Sequence, residues 1–142
     1  MHKNACMNSN IEIRVLNPLQ DDFSQSVARL YRFEGWLDES DEISDINTAL
    51  KNSFACVAAY EGDLMVGFFR ALSDGISDAY LLDLVVDPNY RGMGIGGQLT
   101  EKLLENLRGS GLSWITCIAN PGVDALYKKY GKSMEGFTPI RF

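Results

Sequence analysis

Hydrophobic and polar positions along the chain switch between a period of two residues and a period of nearly four. Ile11, Ile13 and Val15 alternate with charged neighbours, which predicts a half-buried strand that ends before Asn17. Later segments repeat apolar residues at helical spacing or form short apolar runs. Together these patterns predict strands at residues 11–15, 54–60, 64–72, 79–86, 114–118 and 137–142, and helices at 19–34, 40–52, 95–107 and 123–130.

The predicted order of elements, β-α-α-β-β-β-α-β-α-β, is typical of an α/β domain. Residues 54–60 and 64–72 are joined by a short connection containing glycine, which predicts an antiparallel hairpin. Residues 79–86 are almost all apolar, as in a strand buried on both faces. The leucines of residues 95–107 fall four positions apart and predict the clearest helix of the chain.

The size and composition of the chain indicate one globular domain. Of its 142 residues, 46% are hydrophobic and 23% are charged. We expect this domain at residues 11–142, after a disordered leader at residues 1–10. The 19 acidic and 13 basic residues give a net charge of −6, which makes nucleic acid an unfavourable partner. An anionic cofactor would therefore need a local binding device.

The three cysteines, Cys6, Cys56 and Cys117, are far apart and form no CxxC pair. The sequence therefore predicts neither a disulfide framework nor a metal site, and it favours a reducing compartment, the cytoplasm. No run of about 18 apolar residues occurs, and the first residues lack the apolar core of a signal peptide. We expect neither a membrane span nor secretion.

A glycine-rich loop stands between the apolar strand at residues 79–86 and the leucine-spaced helix. With Gly92, Gly94, Gly96 and Gly97, several backbone N–H groups are free to converge on an anion at the positive end of the helix. The spacing excludes a P-loop, because no Gly-Lys-Ser/Thr follows, and excludes the Gly-x-Gly-x-x-Gly pattern of dinucleotide binding. A tight strand-to-helix turn explains these glycines equally well.

Two motifs, in this order, carry a resemblance to a known family. Arg91, Gly94 and Gly96 form an Arg-x-x-Gly-x-Gly motif preceded by Val-Asp-Pro. A second segment, residues 120–131, begins with Asn after a predicted strand and ends in Tyr-Lys-Lys-Tyr-Gly. On these motifs the chain resembles the GCN5-related N-acetyltransferase (GNAT) superfamily, and within it the small bacterial-type single-domain members.

This resemblance implies a fold and a reaction. The fold would be the α/β acyl-CoA N-acyltransferase fold, with a central mixed, mostly antiparallel sheet flanked by helices. The reaction would be acetyl transfer from acetyl-CoA to a primary amine in a ternary complex, with a small cationic or aralkylamine-like acceptor. Two alternatives stay open: a non-catalytic acyl-CoA-binding sensor on the same fold, and acetylation of a protein N-terminus or lysine.

The resemblance also implies roles for individual residues. Acetyl-CoA would lie between the strands at residues 80–86 and 114–118, with an N–H of Val85 or Val86 polarising its thioester carbonyl. Tyr127 would protonate the leaving thiolate. Asp83 is the candidate catalytic carboxylate, and it would either bind the substrate amine or make a structural hydrogen bond. The implied cofactor-binding residues are Leu84, Val85, Val86, Arg91, Gly92, Met93, Gly94, Ile95, Gly96, Gly97, Asn120 and Tyr127.

Several of these side chains have a simpler explanation. Arg91 is explained equally well as a solvated surface arginine, and Tyr127 as a ring packed in an amphipathic helix. Asn120 would hold the coenzyme, cap the short helix, or do both. Tyr31, Phe33 and Trp36 would line an aromatic amine pocket or belong to the core.

The C-terminal segment departs from the pattern of the family. The family usually places Phe directly after the Tyr-Gly pair, whereas Lys132, Ser133 and Met134 intervene here before Phe137. We therefore expect a displaced or short last strand. We also expect a homodimer in which a second subunit closes the acceptor pocket.

Overall fold

The computed structural model describes residues 10–142, so nearly all of the predicted leader lies outside the described residues. The chain folds into one sheet with helices on both of its faces. The elements are β1 (Ile11–Leu16), α1 (Ser24–Phe33), α2 (Ile43–Lys51), β2 (Ala55–Glu61), β3 (Leu64–Ser73), β4 (Asp78–Val86), a 3-10 turn (Pro88–Tyr90), α3 (Ile95–Gly109), β5 (Trp114–Cys117) and α4 (Asp124–Tyr127).

The five strands lie in the order β1-β2-β3-β4-β5. The first three neighbouring pairs are antiparallel, and only β4 and β5 are parallel. The predicted mixed, mostly antiparallel sheet is therefore confirmed. Two parallel strands cannot be joined by a hairpin, so the chain must cross over between them. Helix α3 forms this crossover between β4 and β5.

The sheet has an apolar core on each face. On one face, α1 and α2 pack against side chains such as Phe68 and Val85. On the other face, α3 packs against side chains such as Phe69 and Leu81. Phe68 and Phe69 are both fully buried although they are neighbours in β3, because successive side chains of a strand point to opposite faces.

No helix in residues 10–142 is long and apolar enough to cross a membrane.

Three predicted helix boundaries are wrong by several residues. Helix α1 begins at Ser24 rather than at residue 19, because the Asp22 carboxylate accepts the Ser24 N–H at 2.8 Å and ends the preceding turn. Helix α2 begins at Ile43, three residues later than predicted. Helix α4 covers only Asp124–Tyr127 of the predicted residues 123–130, and the next three residues form turns.

The predicted last strand, residues 137–142, is wrong. These residues form neither helix nor strand, and Phe137 and Ile140 are 67% and 68% exposed. Strand β5, at the end of the sheet, is only four residues long and is paired on its β4 side alone. Pro139 also lacks the N–H that a paired strand donates.

Strand β4 contains a bulge in the middle of its antiparallel pairing with β3. Leu82 pairs with Arg70 and Val85 pairs with Phe68, so two residues of β4, Asp83 and Leu84, lie opposite one residue of β3. Asp83 has a φ of 65°, in the left-handed region. Simple alternation would turn Asp83 to the α3 face together with Leu81. The extra residue instead turns its carboxylate toward Tyr31 of α1.

We expect the substitution Gly67→Ala to destabilise the fold. A methyl group on Gly67 of β3 would lie 2.9 Å from Leu99 Cδ1 and 3.1 Å from Ile95 Cγ2, in the tightly packed layer between α3 and the sheet. Overpacking of this kind lowers the free energy of unfolding by about 1–3 kcal/mol. Urea denaturation measures the change.

Gly109→Ala is the matched control. Gly109 closes α3 and has no atom within 4 Å of an added methyl group. Alanine there should leave stability unchanged or raise it by up to about 1 kcal/mol. Equal destabilisation by the two substitutions would contradict the close approach of α3 to Gly67.

Candidate active site

The pairing of β4 with β5 stops before β4 ends, which leaves a free strand edge beside a space that we call the cleft. Their parallel pairing joins residues 78–81 of β4 to 114–117 of β5, and β4 then continues to Val86 while β5 ends. The Asp87 N–H donates to Val66 O of β3 at 2.8 Å. Because residues of a strand alternate their hydrogen-bonding edge, the N–H of Val86 points toward the open edge and that of Val85 toward β3. Of the two predicted oxyanion donors, the geometry favours Val86.

The side chains of the predicted cofactor strand do not converge on the cleft. Val85 is buried in the core between the sheet and α1, whereas Leu84 and Val86 are partly buried against the α3 side of the sheet. What these three residues can offer a ligand in the cleft is therefore mainly backbone.

The glycine-rich loop lies between the end of β4 and the N-terminus of α3. Gly92 and Gly94 each have a φ of 78°, which L residues rarely adopt, and an added methyl group would meet no atom within 4 Å at either position. Gly94 is the N-cap of α3 and gives it no side-chain cap. The first N–H groups of a 15-residue helix thus stay available to an anion. Both the backbone shape and the free space fit a phosphate group.

Gly96 and Gly97 have a different role from Gly92 and Gly94. They lie inside α3, where an added methyl group would lie 3.2 Å from Leu126 Cδ2 at Gly96 and 2.9 Å from Tyr130 Oη at Gly97. These two glycines therefore let α4 and the turn after it approach α3. Four glycines that look alike in the sequence divide into two that shape the loop and two that allow packing.

The three residues other than glycine in and beside the loop, Arg91, Met93 and Ile95, also differ in their contacts. The side chain of Ile95 is 2% exposed and belongs to the core, and Met93 packs partly against that core. Arg91 is exposed, but its guanidinium donates to Glu34 Oε1 at 3.0 Å and to Val86 O at 3.2 Å. Arg91 thus joins the end of α1 to the end of β4 rather than standing free in solvent.

Tyr127 lies on the α3 side of the sheet, stacked on Phe69 with ring centroids 6.1 Å apart. Its hydroxyl has no hydrogen-bond partner within residues 10–142. Burial raises the pKa of Tyr127, and the nearby Cys117 and Tyr80 raise it further, so the phenol stays protonated at neutral pH. The Tyr127 ring is therefore packed against the core, as expected for an aromatic residue of an amphipathic helix. Its hydroxyl is nevertheless free to act as a proton donor.

Asn120 does not cap α4. The helix begins at Asp124, its N-cap residue is Val123, and that helix start has no side-chain cap. The predicted capping role of Asn120 is therefore wrong, because the helix starts four residues later in the chain. The Asn120 side chain is exposed, while its backbone carbonyl accepts the Val123 N–H at 3.0 Å.

The two free thiols of residues 10–142, Cys56 and Cys117, are not arranged for nucleophilic chemistry. Burial raises the pKa of Cys117, and burial raises the pKa of Cys56 to about 11, so both thiols are protonated at neutral pH. Within residues 10–142, no three His, Cys, Asp or Glu side chains come together as metal ligands.

Asp83 lies at a cavity on the opposite face of the sheet from Tyr127. Asp83 Oδ2 accepts hydrogen bonds from Tyr31 Oη and from Arg70 Nε, both at 2.7 Å. The cavity has a volume of about 280 Å³, close to the lower end for small-molecule sites. Its lining residues are Tyr31, Trp36, Leu37, Asp41, Glu42, Asp45, Ile46, Ala49, Leu50 and Asp83. Phe33, also predicted for an aromatic pocket, is not among them and is exposed at the end of α1.

Sequence reasoning missed Arg70, which joins this site from β3. Burial opposes its positive charge, but the Asp83 carboxylate and the Tyr31 hydroxyl bring about a net rise in the pKa of Arg70. Burial, followed by the Asp83 carboxylate, raises the pKa of Tyr31, so Tyr31 remains a donor at neutral pH. The only sequence feature that could have pointed to Arg70 is its positive charge in an otherwise apolar predicted strand. That feature does not identify Asp83 as its partner.

Similarity to other proteins agrees with this arrangement. The model of the acetyltransferase (GNAT) family matches residues 19–131. The uncharacterized N-acetyltransferase ycf52 of Pyropia yezoensis is 34% identical over 101 residues, which cover 68% of this chain and 57% of that protein. Serotonin N-acetyltransferase 2, chloroplastic, of Oryza sativa subsp. japonica is 40% identical over 70 residues, or 49% of this chain and 35% of the rice protein. The chain spans about half the length of the curated relatives it matches, or less.

The fold is shared with solved acetyltransferase structures. A predicted acetyltransferase from Clostridium acetobutylicum, solved with acetyl-CoA, superimposes with a TM-score of 0.72 at 16% identity. The match covers 92% of this chain and 96% of the Clostridium chain. With the family model matched over most of the sequence and the fold in agreement, the chain belongs to the acetyltransferase (GNAT) family.

Proposed function

We propose that this protein transfers the acetyl group of acetyl-CoA to a primary amine, directly and within a ternary complex. The observation that carries the proposal is the open edge of β4, where the Val86 N–H faces a cleft that ends at the glycine-rich loop. Such a cleft joins a row of backbone groups to an anion site at a helix N-terminus. An extended thioester with a pyrophosphate at one end fits both parts.

The residues of the loop and strand fit the cofactor. Its pyrophosphate would be held by backbone N–H groups of residues 92–97, and its pantetheine arm by the backbone of residues 84–86. Bound acetyl-CoA supplies an acetyl group activated as a thioester. Because the loop binds through N–H groups, a chain with a net charge of −6 can still hold a polyanion. Asn120, exposed in the segment that follows β5, stays a proposed contact.

Three groups of the chain would assist the transfer. The Val86 N–H would donate to the carbonyl oxygen as negative charge develops there. The amine would lose one proton to solvent and react in its neutral form, and Asp83 would take the second proton, which the nitrogen releases as it bonds to the acetyl carbon. Tyr127 would give its proton to the sulfur as the carbon–sulfur bond breaks, and solvent would restore it. The acid and the base lie on opposite faces of β4, which suits a transfer between two bound molecules.

The acceptor would be a small cationic or aralkylamine-like amine. The cavity beside Asp83 combines the rings of Tyr31 and Trp36, 5.3 Å apart, with an apolar wall. Asp41, Glu42 and Asp45 add negative charge to its lining. The similarity to a rice serotonin N-acetyltransferase supports an amine acceptor. We also propose a cytoplasmic location and a homodimer.

The cofactor site is tested by calorimetric titration of acetyl-CoA against Gly94→Glu. A carboxylate at Gly94 would lie in the proposed pyrophosphate site, where repulsion between like charges at a partly solvated position costs roughly 2 kcal/mol. We therefore expect the dissociation constant of acetyl-CoA to rise about 30-fold.

Gly111→Glu is the matched control for this titration. Gly111 has a φ of 87° and open space around it, as Gly94 does, but it follows the other end of α3. The control should bind acetyl-CoA as the wild type does. Equal loss in the two variants, or no binding by folded wild-type protein, would contradict the proposal. Binding without release of CoA across a panel of amines would instead favour a non-catalytic acyl-CoA sensor.

A further inference from the structure

A chain of hydrogen bonds joins three parts of the molecule at the bulge of β4. Tyr31 of α1 and Arg70 of β3 both donate to Asp83 Oδ2 at 2.7 Å. Arg70 Nη1 donates to Ser53 Oγ at 3.2 Å, and Ser53 Oγ donates to Ala49 O of α2 at 2.8 Å. The carboxylate is therefore linked to both helices that flank the cavity.

The two donors use the same oxygen of Asp83. Within residues 10–142, Asp83 Oδ1 has no hydrogen-bond partner, and Asp83 lines the cavity. The side chains of Arg70 and Asp83 are 13% and 24% exposed, so the pair is shielded from solvent but open on one side. A carboxylate fixed through one oxygen cannot rotate freely, and its second oxygen keeps a constant direction.

We propose that Tyr31 and Arg70 are positioning residues that hold Asp83 so that its Oδ1 binds the ammonium group of an amine whose apolar or aromatic body occupies the cavity. This inference rests on the proposed function and identifies the set of residues that orients the acceptor. Trp36 and Tyr31 supply the aromatic wall, and Leu37, Ile46 and Leu50 supply the apolar one.

The strained backbone supports a role beyond packing. Asp83 is the only residue other than glycine in residues 10–142 with a positive φ, a backbone conformation that is unfavourable for a residue with a side chain. The bulge is what turns the carboxylate toward Tyr31, away from the face of its neighbour Leu81. β-Bulges are over-represented next to active sites, where they change the direction of a side chain.

Tyr31→Phe is the test, with 2-phenylethylamine as the probe. The substitution keeps the ring packed against Trp36 and Phe68 and removes one donor to Asp83. We expect calorimetry to show about tenfold weaker binding of 2-phenylethylamine, the usual size of a lost hydrogen bond to a charged group, with acetyl-CoA affinity unchanged. Tyr60→Phe is the control, because Tyr60 is buried on the same face and is not bonded to Asp83.

Arg70 variants separate positioning from folding. Arg70→Lys keeps a positive charge but cannot reach Asp83 and Ser53 together, so its affinity for 2-phenylethylamine should lie between those of wild type and Arg70→Met. If the wild type turns over the probe, the KM for the amine should rise in each variant while the KM for acetyl-CoA stays the same. A fall in affinity for both ligands would overturn the positioning role and indicate general damage to the fold.

Two further results would overturn the inference. Unchanged amine binding in folded Tyr31→Phe would show that the clamp on Asp83 does not orient the acceptor. Absence of 2-phenylethylamine binding by the wild type would show that this cavity does not hold such an amine. In the second case the acetyl-CoA titration still tests the cofactor site on its own, so failure of this inference is distinguishable from failure of the proposed function.

Discussion

Tyr127→Phe is expected to lower kcat for amine acetylation about 100-fold and to leave the dissociation constant of acetyl-CoA unchanged. A positioned general acid contributes roughly 10²–10⁴-fold, so the loss of the phenolic proton lies at the lower end of that range. The ring stays stacked on Phe69, and no hydrogen bond within residues 10–142 is removed. Release of CoA under saturating substrates measures kcat, and calorimetry measures binding.

Tyr130→Phe is the matched control for the acid role. Tyr130 follows three residues later, and its hydroxyl donates to Glu101 at 3.3 Å on the surface of α3. Its removal should change kcat less than twofold, roughly the scale of an exposed polar contact. If both variants keep wild-type turnover, another donor, or water, protonates the sulfur. If both lose acetyl-CoA affinity, the rings serve packing instead.

The substitution with the largest expected effect on stability is Arg29→Met. Arg29 of α1 forms an ion pair with Asp87 and donates to Met65 O at 2.9 Å. The Asp87 side chain is only 1% exposed, so without Arg29 its carboxylate would be buried with no opposing charge. The Arg29 side chain is itself 37% exposed, so water partly screens the pair, and its loss should lower the free energy of unfolding by about 3 kcal/mol at most. Urea denaturation at neutral pH measures this change.

Arg14→Met provides the comparison on the surface. The Arg14–Glu12 pair spans 3.0 Å, but its side chains are 41% and 65% exposed. Exposed ion pairs contribute about 0–1 kcal/mol, so this variant should be close to wild type. Similar losses at Arg14 and Arg29 would mean that Asp87 tolerates burial without its partner.

Much of the fold could be predicted because its elements are strongly periodic. Helix α3 and strands β2 to β5 follow their apolar patterns to within two residues. The start of α1 could not be predicted in this way, since Asp22 looks equally suited to a first helical turn and to the turn before it. The last strand failed for another reason: apolar residues such as Phe137 form a strand only where a neighbouring strand pairs with them.

The glycine-rich loop could be predicted, because the spacing of its glycines is visible in the sequence. The contacts of Asp83 could not, because they depend on how β3 and β4 are aligned. The loop around Gly92 and Gly94 has the expected shape, but the packing role of Gly97 depends on Tyr130, 33 positions later in the numbering. The bulge at Asp83 leaves no trace in a run that is apolar on both sides of it. Its bond to Arg70 follows from the alignment of β3 with β4, which a single sequence does not reveal.

The two walls of the cleft differ in how firmly they are built into the molecule. The β4 wall belongs to a central strand, whereas the other wall is the segment after β5. No residue from 118 to 142 is buried, and this segment contacts α3 and the sheet through partly buried side chains such as Leu126, Tyr127 and Tyr130. Segments with few buried contacts open at lower free energy than the global core. A global unfolding curve therefore reports on the stability of the β4 wall only. Substitutions in the other wall change the energy of local opening, and with it ligand retention, while the melting temperature stays almost constant.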